Sequence, residues 1–215
     1  MREEVIQKVY DKKIIAIARG LSQEHMLGLA NALLAGGVEM MEVTFNQKDP
    51  DSFRDTADMI HLLNEKVGDR MLIGAGTVTT VALAELAYEA GARYIVSPNT
   101  RQDVIERTHE LDMVSMPGAL TPSEVFDAYT YGADFVKLFP ISVLGSAYVK
   151  ALRAPLSNIP LLAVGGINEK NLKEFYDAGV VGTGVGGNLV NKKWVMNGEF
   201  DKISQVAREL VACGK

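Results

Sequence analysis

The chain has 215 residues, 47% of them hydrophobic, a length that supports one large core and argues against two domains. Its net charge is −5, from 22 basic and 27 acidic residues, so it lacks the positive field that gathers phosphate backbones. We therefore expect a single domain over residues 1–215 and no nucleic-acid partner.

The N-terminal residues Met1–Val5 are charged and acidic, whereas a secretory signal begins with basic residues and an apolar run. No apolar stretch approaches the roughly 20 residues that span a bilayer. Cys213 is the only cysteine and cannot form an internal disulfide, which fits a reducing compartment. We expect a cytoplasmic protein with no membrane partner.

Short apolar runs alternate with amphipathic segments eight times along the chain, a rhythm that predicts parallel strands joined by helices. The predicted strands are Lys13–Arg19, Val38–Asn46, Met71–Val78, Arg93–Pro98, Met113–Pro117, Asp134–Pro140, Leu161–Gly166 and Val180–Gly186. Eight βα units favour a closed (β/α)8 barrel over an open doubly wound sheet, which usually has fewer strands. In such a barrel, active-site residues lie at the carboxyl ends of the strands.

Segments with helical periodicity lie between these strands and end at glycine, which enters the left-handed conformation cheaply. Ser22 and Asn168 are residues typical of helix starts. The predicted helices are Ser22–Ala35 before Gly36-Gly37, Thr80–Ala90 before Gly91, and Asn168–Ala178 before Gly179.

The second predicted strand contains an acidic residue. Because side chains alternate along a strand, Glu42, Thr44 and Asn46 are expected to point into the barrel. Met41 and Val43 then face the surrounding helices. A buried carboxylate costs several kcal/mol unless pairing or function offsets the loss of water.

The sixth predicted strand carries Lys137, which the same alternation places inside the barrel between Phe135 and Phe139. Lys137 and Glu42 form either a structural ion pair or a reactive pair. Desolvation and a nearby cation such as Arg19 lower the pKa of a lysine, whereas Glu42 acts in the opposite direction. A neutral amine is the form that attacks a carbonyl to give an imine.

Arg19 ends the first predicted strand on the face of Ile15 and Ile17, so its side chain is expected near the mouth of the barrel. A guanidinium there can bind a carboxylate or a phosphate with two hydrogen bonds. The alternative is a solvated arginine at a strand end.

Glycine-rich turns follow the last two predicted strands, at Gly165-Gly166 and Gly186-Gly187. Loops at these places in a barrel frequently hold phosphate on backbone N–H groups, although tight turns need glycine in any case. The histidines His25, His61 and His109 fall on predicted helices and are expected at the surface. No His/Asp/Glu cluster has metal-ligand spacing, which favours a metal-free mechanism.

Five motifs at the strand ends together resemble one family over essentially the whole chain. They are Glu42-Val-Thr-Phe, Gly74-Ala-Gly-Thr77, Val96-Ser-Pro98-Asn, Val136-Lys137-Leu-Phe139-Pro140 and Gly165-Gly166-Ile167. In this order and spacing the chain resembles the 2-keto-3-deoxy-6-phosphogluconate (KDPG) and 4-hydroxy-2-oxoglutarate (KHG) aldolases, which are class I aldolases. The resemblance implies a metal-independent carbon–carbon lyase without cofactor, of the type used in the Entner–Doudoroff pathway.

The resemblance further implies that Lys137 forms an imine with the C2 ketone and that Glu42 moves protons. The products would be pyruvate and glyceraldehyde 3-phosphate, or pyruvate and glyoxylate from KHG. Thr77 would hold the carboxylate, with Pro98 and Phe139 as pocket walls. The distal phosphate would bind at Gly165, Gly166, Gly186 and Gly187. A homotrimer is also implied, with Trp194 and Met196 as exposed apolar residues available for contacts.

Three positions depart from the family pattern and leave the substrate open. Asn46 stands where some members carry a carboxylate-binding arginine, a role that Arg19 could take over. Val164 stands where members acting on the gluconate isomer often have threonine, and resembles the aldolases for the galactonate epimer. Gly187 replaces a serine found near the phosphate. One lost hydroxyl shifts preference by about 1–3 kcal/mol.

Two other functions are compatible with such a barrel. A non-catalytic barrel would bind a phosphorylated metabolite and use Glu42 and Lys137 only as an ion pair. An isomerase that handles a phosphorylated substrate would keep its activity without Lys137.

Overall fold

A computed structural model describes residues 2–214 of the chain. The strands are β1 (Ile14–Ala18), β2 (Met40–Thr44), β3 (Leu72–Gly76), β4 (Tyr94–Val96), β5 (Val114–Met116), β6 (Gly118–Ala119), β7 (Val136–Leu138), β8 (Leu161–Val164) and β9 (Gly182–Val185). The helices are α1 (Arg2–Lys12), α2 (Gln23–Ala35), α3 (Phe53–Val67), α4 (Val81–Glu89), α5 (Gln102–Glu110), α6 (Pro122–Thr130), α7 (Gly145–Arg153), α8 (Leu172–Asp177), α9 (Lys192–Met196) and α10 (Phe200–Cys213).

The strands form one parallel sheet in the order β5-β4-β3-β2-β1-β9-β8-β7-β6. The two end strands, β5 and β6, are separated only by Pro117. They are therefore two halves of one strand that closes the ring, interrupted where Pro117 has no N–H to donate. The predicted (β/α)8 barrel is confirmed, and each of the eight predicted strands contains an observed one.

The predicted helix boundaries are mostly confirmed. The stops are left-handed glycines, with φ of +87° at Gly37, +90° at Gly91 and +100° at Gly179. The predicted start at Asn168 is wrong, because α8 begins at Leu172 and Asn168 Oδ1 instead accepts the N–H of Lys170 in a turn. Ser22 precedes α2 as predicted, although its hydroxyl bonds to the side chain of His25 and does not cap the helix.

The alternation of side chains divides the apolar core in two. The outer part lies between strands and helices and contains Met41 and Val43, as predicted. The inner part fills the barrel with Ile15, Met40, Tyr94, Val96, Val114, Met116, Phe135, Leu162 and Val164. A polar side chain in this inner layer therefore has few neighbours that could solvate it.

Helix α1, which was not predicted from the sequence, packs its apolar side against the inner core. Val5 and Val9 are fully buried within that core. The ring of Tyr10 lies 5.4 Å from that of Phe135, centroid to centroid. Because α1 packs against the barrel at its amino-terminal end, a ligand must enter from the carboxyl end of the strands.

A charged cluster around Asp134 fastens α1 and α5 to the barrel. The carboxylate accepts the N–H of Ser115 at 2.9 Å, lies 3.2 Å from His109 Nε2 and also pairs with Arg2. Burial raises the pKa of Asp134, but bonds to His109, Ser115 and Arg2 outweigh it, so the pKa is lowered. His109 is thus partly buried, as is His25, and the surface prediction holds only for His61.

Asp134→Asn is expected to lower the free energy of unfolding by about 2 kcal/mol at neutral pH, because a buried charge-assisted network is lost. A carboxyl group with a lowered folded pKa stabilises the fold above its ordinary value of 3.8 and loses that contribution below it. The difference between the two proteins should therefore shrink as pH falls through that region, which urea unfolding at several pH values measures. Asp177→Asn, at an exposed pair with Lys173, is the control and should change little.

The surface carries a few apolar side chains. Met196 is exposed as predicted, whereas Trp194 is half-buried and has the ammonium of Lys202 over its ring. Within residues 2–214, none of the helices combines the length and apolar character needed to cross a membrane.

Candidate active site

Glu42 and Lys137 lie in the barrel interior on β2 and β7, with only 2% and 4% of their surfaces exposed. Gly76 makes room for the carboxylate, since a Cβ at this position would lie 2.7 Å from Glu42 Oε1. The N–H of Lys137 donates to the carbonyl of Pro117 at 2.9 Å, which ties its backbone to the interrupted strand. The strand alternation predicted from the sequence is confirmed for both residues.

No ion pair joins Glu42 to Lys137 among residues 2–214, so their charged atoms are more than 4.0 Å apart. A structural pair would close that distance, because only direct contact recovers the cost of burying two charges. The geometry therefore favours the reactive pair over the structural ion pair.

The two groups change each other's protonation. Burial lowers the pKa of Lys137 most strongly, Glu42 raises it by a smaller amount, and Arg19 lowers it by less again. Burial raises the pKa of Glu42, against the opposing effects of Lys137 and Arg19. The site thus favours a neutral amine beside a carboxyl group that can both donate and accept a proton.

The predicted sandwich of Lys137 between two rings is wrong in part. Its Nζ lies 4.8 Å from the ring centroid of Phe139, which stands half-exposed at the rim. Phe135 is buried lower in the barrel, where it contacts Tyr10 of α1. The two rings differ because β7 ends at Leu138, so Phe139 lies beyond the strand.

Arg19 and Thr77 meet at the carboxyl end of β1 and β3. Arg19 Nη2 lies 3.5 Å from Thr77 Oγ1, at the limit of a hydrogen bond. Thr77 has a φ of +59°, which a β-branched residue adopts only under strain. Such strain collects at functional sites, where the surrounding structure holds it.

Gln47 stabilises the strained turn at Thr77, a role that the sequence analysis did not predict. Its Nε2 donates to the carbonyl of Thr77 at 3.0 Å, and its Oε1 accepts the hydroxyl of Thr79 at 3.1 Å. The contact joins two loops 30 residues apart. No sequence pattern near Gln47 indicates this contact.

Asn46 does not point into the barrel, which corrects the prediction. Strand β2 ends at Thr44, so the alternation does not extend to Asn46. Its Oδ1 accepts the N–H of Lys48 at 3.2 Å in a turn, and the residue is exposed. Asn46 nevertheless lines the same cleft as Arg19 and Thr77.

Three cavities lie around this end of the barrel. A cleft of about 720 Å³ is lined by Arg19, Asn46, Gln47 and Thr77, among others. A void of about 10 Å³ is lined by Glu42, Lys137, Val164 and six apolar or glycine residues. Pro98 and Phe139 line a pocket of about 300 Å³. Neither Glu42 nor Lys137 lines the largest of these cavities. The buried amine and carboxyl group, and not cavity size, therefore mark the reactive centre.

The two glycine-rich turns differ in conformation. Gly165 and Gly166 have φ of +102° and +74°, and a Cβ on Gly166 would lie 2.5 Å from Cβ of Ser142. At Gly187 a Cβ would meet no atom within 4 Å, so a serine would fit without clashing. The first turn therefore requires glycine, while the space at Gly187 is open to a bound group.

Within the described range, 2–214, no group of three or more His, Cys, Asp or Glu side chains is arranged to hold a metal ion. What the site offers is a buried nucleophilic amine, a carboxyl group and a guanidinium at the mouth of a barrel. This set suits proton transfer and imine chemistry on a carbonyl compound with an acidic group.

The match to known proteins agrees with this chemistry. The family model described as KDPG and KHG aldolase matches residues 5–206, so the chain belongs to the KDPG and KHG aldolase family. The predicted family and enzyme class, an aldolase and hence a carbon–carbon lyase, are confirmed.

Two relatives and one solved structure illustrate the similarity. The 2-dehydro-3-deoxy-6-phosphogalactonate aldolase of Escherichia coli (strain K12) is 36% identical over 177 residues, covering 82% of this chain and 83% of that protein. The 2-dehydro-3-deoxy-phosphogluconate aldolase of Haemophilus influenzae is 28% identical over 210 residues, covering 97% and 96%. A Legionella pneumophila KDPG aldolase structure with pyruvate captured as a covalent carbinolamine has a TM-score of 0.86 and 26% identity, covering 95% and 97%.

Proposed function

We propose that the chain is a class I aldolase that cleaves KDPG to pyruvate and glyceraldehyde 3-phosphate through an imine on Lys137. The observation that carries this proposal is the buried amine of Lys137, whose pKa is lowered, near a carboxyl group that is not ion-paired to it. Family membership supports the same chemistry, as does the covalent carbinolamine of the Legionella relative.

The neutral amine of Lys137 attacks the C2 ketone, and the carbinolamine loses water with a proton from Glu42. The ionised Glu42 then accepts the proton of the C4 hydroxyl while the C3–C4 bond breaks and its electron pair moves into the imine. Glyceraldehyde 3-phosphate leaves. Glu42 returns the proton to C3 of the enamine, and hydrolysis releases pyruvate and the free amine.

The remaining site residues bind the substrate in this proposal. Arg19 and Thr77 hold the keto-acid carboxylate, because a guanidinium and a hydroxyl meet there. Pro98 and Phe139 form a wall, and Asn46 lines the cleft that Arg19 and Thr77 also line. The backbone N–H groups at Gly165, Gly166, Gly186 and Gly187 hold the phosphate.

A second substrate, the galactonate epimer of KDPG, is favoured by Val164, which lines the void beside Lys137. The higher identity to the galactonate relative points the same way. Val164→Thr should then raise the kcat/KM ratio of gluconate to galactonate substrate by about tenfold, the effect of one hydrogen bond.

Steady-state cleavage of KDPG, its galactonate epimer and KHG, followed by pyruvate release, tests the proposal. We expect one of the phosphorylated epimers to have the highest kcat/KM, with glyoxylate as the second product from KHG. A chain that is stabilised thermally by these compounds but releases no pyruvate would be the non-catalytic barrel.

The proposal also covers the location, domain organisation and oligomeric state of the enzyme. We place it in the cytoplasm as one catalytic domain over residues 1–215, a homotrimer that needs no cofactor and serves the Entner–Doudoroff pathway. The family resemblance supports the trimer, and sedimentation measures it.

Gln47→Ala should raise KM for the phosphorylated keto acid about tenfold and change kcat less, because the turn at Thr77 loses the hydrogen bonds that Gln47 makes with the Thr77 carbonyl and the Thr79 hydroxyl. Initial rates across substrate concentration separate the two constants. Gln102→Ala, which removes an exposed pair with Glu106 on α5, is the matched control. An unchanged KM in Gln47→Ala would remove Gln47 from carboxylate binding.

A further inference from the structure

Tyr94 on β4 is a fully buried tyrosine in the inner core that the proposed mechanism does not use. Across residues 2–214, its Oη is the buried side-chain oxygen with no hydrogen-bond partner in the protein. Buried hydroxyls are normally satisfied by protein groups or by ordered water, since an unpaired one costs stability. A phenylalanine would fill the same space without that cost, so we expect the Tyr94 hydroxyl to have a hydrogen-bond partner.

The ring of Tyr94 and the carboxylate of Glu42 lie over the same face of β3. A Cβ on Gly74 would lie 2.2 Å from the Tyr94 ring, and a Cβ on Gly76 would lie 2.7 Å from Glu42 Oε1. These two glycines are one side-chain repeat apart, about 7 Å along a strand. The Tyr94 ring and the Glu42 carboxylate therefore occupy adjacent positions on this face, and water can join polar groups that are not in direct contact.

The interior above Tyr94 contains a void of about 10 Å³ that Glu42 and Lys137 line, together with Val96, two residues after Tyr94. This volume is about that of one water. A water needs two to four polar partners, and Glu42 and Lys137 are the polar side chains that line this void. Tyr94 lies one side-chain repeat before Val96 on the same face of β4 and is the nearest further candidate on that strand.

The groups that face Glu42 come from every neighbouring strand. Lys137 approaches from β7 and Arg19 from the end of β1, and both lower its pKa against the larger effect of burial. Thr44 follows on the same strand, while β3 contributes Leu72, Gly74 and Gly76 on this face and no titratable group. Burial raises the pKa of Tyr94, and the negative charge of Glu42 raises it further.

We infer that Tyr94 is a positioning residue for Glu42, and that its hydroxyl donates through one water to the carboxylate and stabilises the ionised form. The inference rests on the proposed role of Glu42 in proton transfer. A donor of this kind opposes the effect of burial and keeps Glu42 able to accept a proton as well as to donate one. The three charged or polar groups then share one water below the reacting amine.

Tyr94→Phe tests the inference, because it removes only the oxygen and keeps the ring. The ¹³C signal of the Glu42 carboxyl, identified by its loss in Glu42→Gln, is followed through a pH titration. Loss of a donor to the carboxylate should raise the titration midpoint by about one unit. The acid side of the kcat/KM profile should move in the same direction.

Tyr176→Phe is the control, since that buried hydroxyl bonds to the Lys13 carbonyl and Thr183, outside the site. It should leave the Glu42 midpoint unchanged. An unshifted or lowered Glu42 midpoint in Tyr94→Phe overturns the inference. A gain in thermal stability without a shift of the midpoint also overturns it, because it shows that the Tyr94 hydroxyl has no partner. Because the titration needs no turnover, it separates this inference from the proposed function, which fails if pyruvate and borohydride leave no adduct on the wild type.

Discussion

Lys137→Met should lower kcat/KM for the phosphorylated keto acid by about 10⁵-fold or more, the loss expected when a covalent nucleophile is removed. Methionine fills nearly the same space in the inner core but carries no amine, so no imine forms. The fold should be kept or stabilised, because an apolar side chain replaces a buried polar one that is 4% exposed. The rate of pyruvate release and thermal unfolding measure the two effects independently.

Borohydride reduction in the presence of pyruvate gives a second readout. Mass spectrometry should find one adduct per wild-type chain on Lys137 and none in Lys137→Met. Lys150→Met, which removes an exposed amine on α7, should retain both adduct and turnover. Turnover within tenfold of wild type in Lys137→Met would instead support the isomerase, whose chemistry does not use this amine.

The barrel could be predicted from the sequence because each strand is an apolar run of the right length between amphipathic segments. Local periodicity also fixed which face of β2 and β7 meets the interior, and so brought Glu42 and Lys137 together. It could not reveal that Pro117 divides one strand into two, nor that α1 packs against the barrel bottom. Those features depend on how the ring closes, which no single segment determines.

The finer parts of the site depend on where strands end and on contacts between distant loops. Alternation beyond Thr44 misplaced Asn46, because the strand gives way to a turn there. Gln47 contacts Thr77 across two loops, and its residue type has no special meaning in its own segment. The sequence assigned no role to Tyr94, since a period of two gives the face of a strand but not the depth of a residue in the barrel.

Glu42→Gln should lower kcat by about 10² to 10⁴-fold, the range for loss of a positioned acid–base group. The amide occupies the space that Gly76 leaves for the carboxylate, so KM should change far less than kcat. Imine formation on Lys137 should slow, although the final yield of borohydride-trapped pyruvate stays high. Stopped reactions at short times, analysed by mass, separate the rate of adduct formation from its yield.

Glu42→Gln should also shift the pH profile of pyruvate trapping in a defined direction. Glu42 raises the pKa of Lys137, because a carboxylate favours the ammonium form, so its removal lowers that pKa further below the ordinary 10.5. The neutral amine is then available at lower pH, and the rising side of the trapping profile should move toward acid. Glu39→Gln removes a carboxyl group just before β2, where it pairs with Lys8 and Lys12, and should leave the profile in place. A shift toward alkaline pH in Glu42→Gln would mean that the carboxyl group does not act on Lys137 and that another group moves the protons.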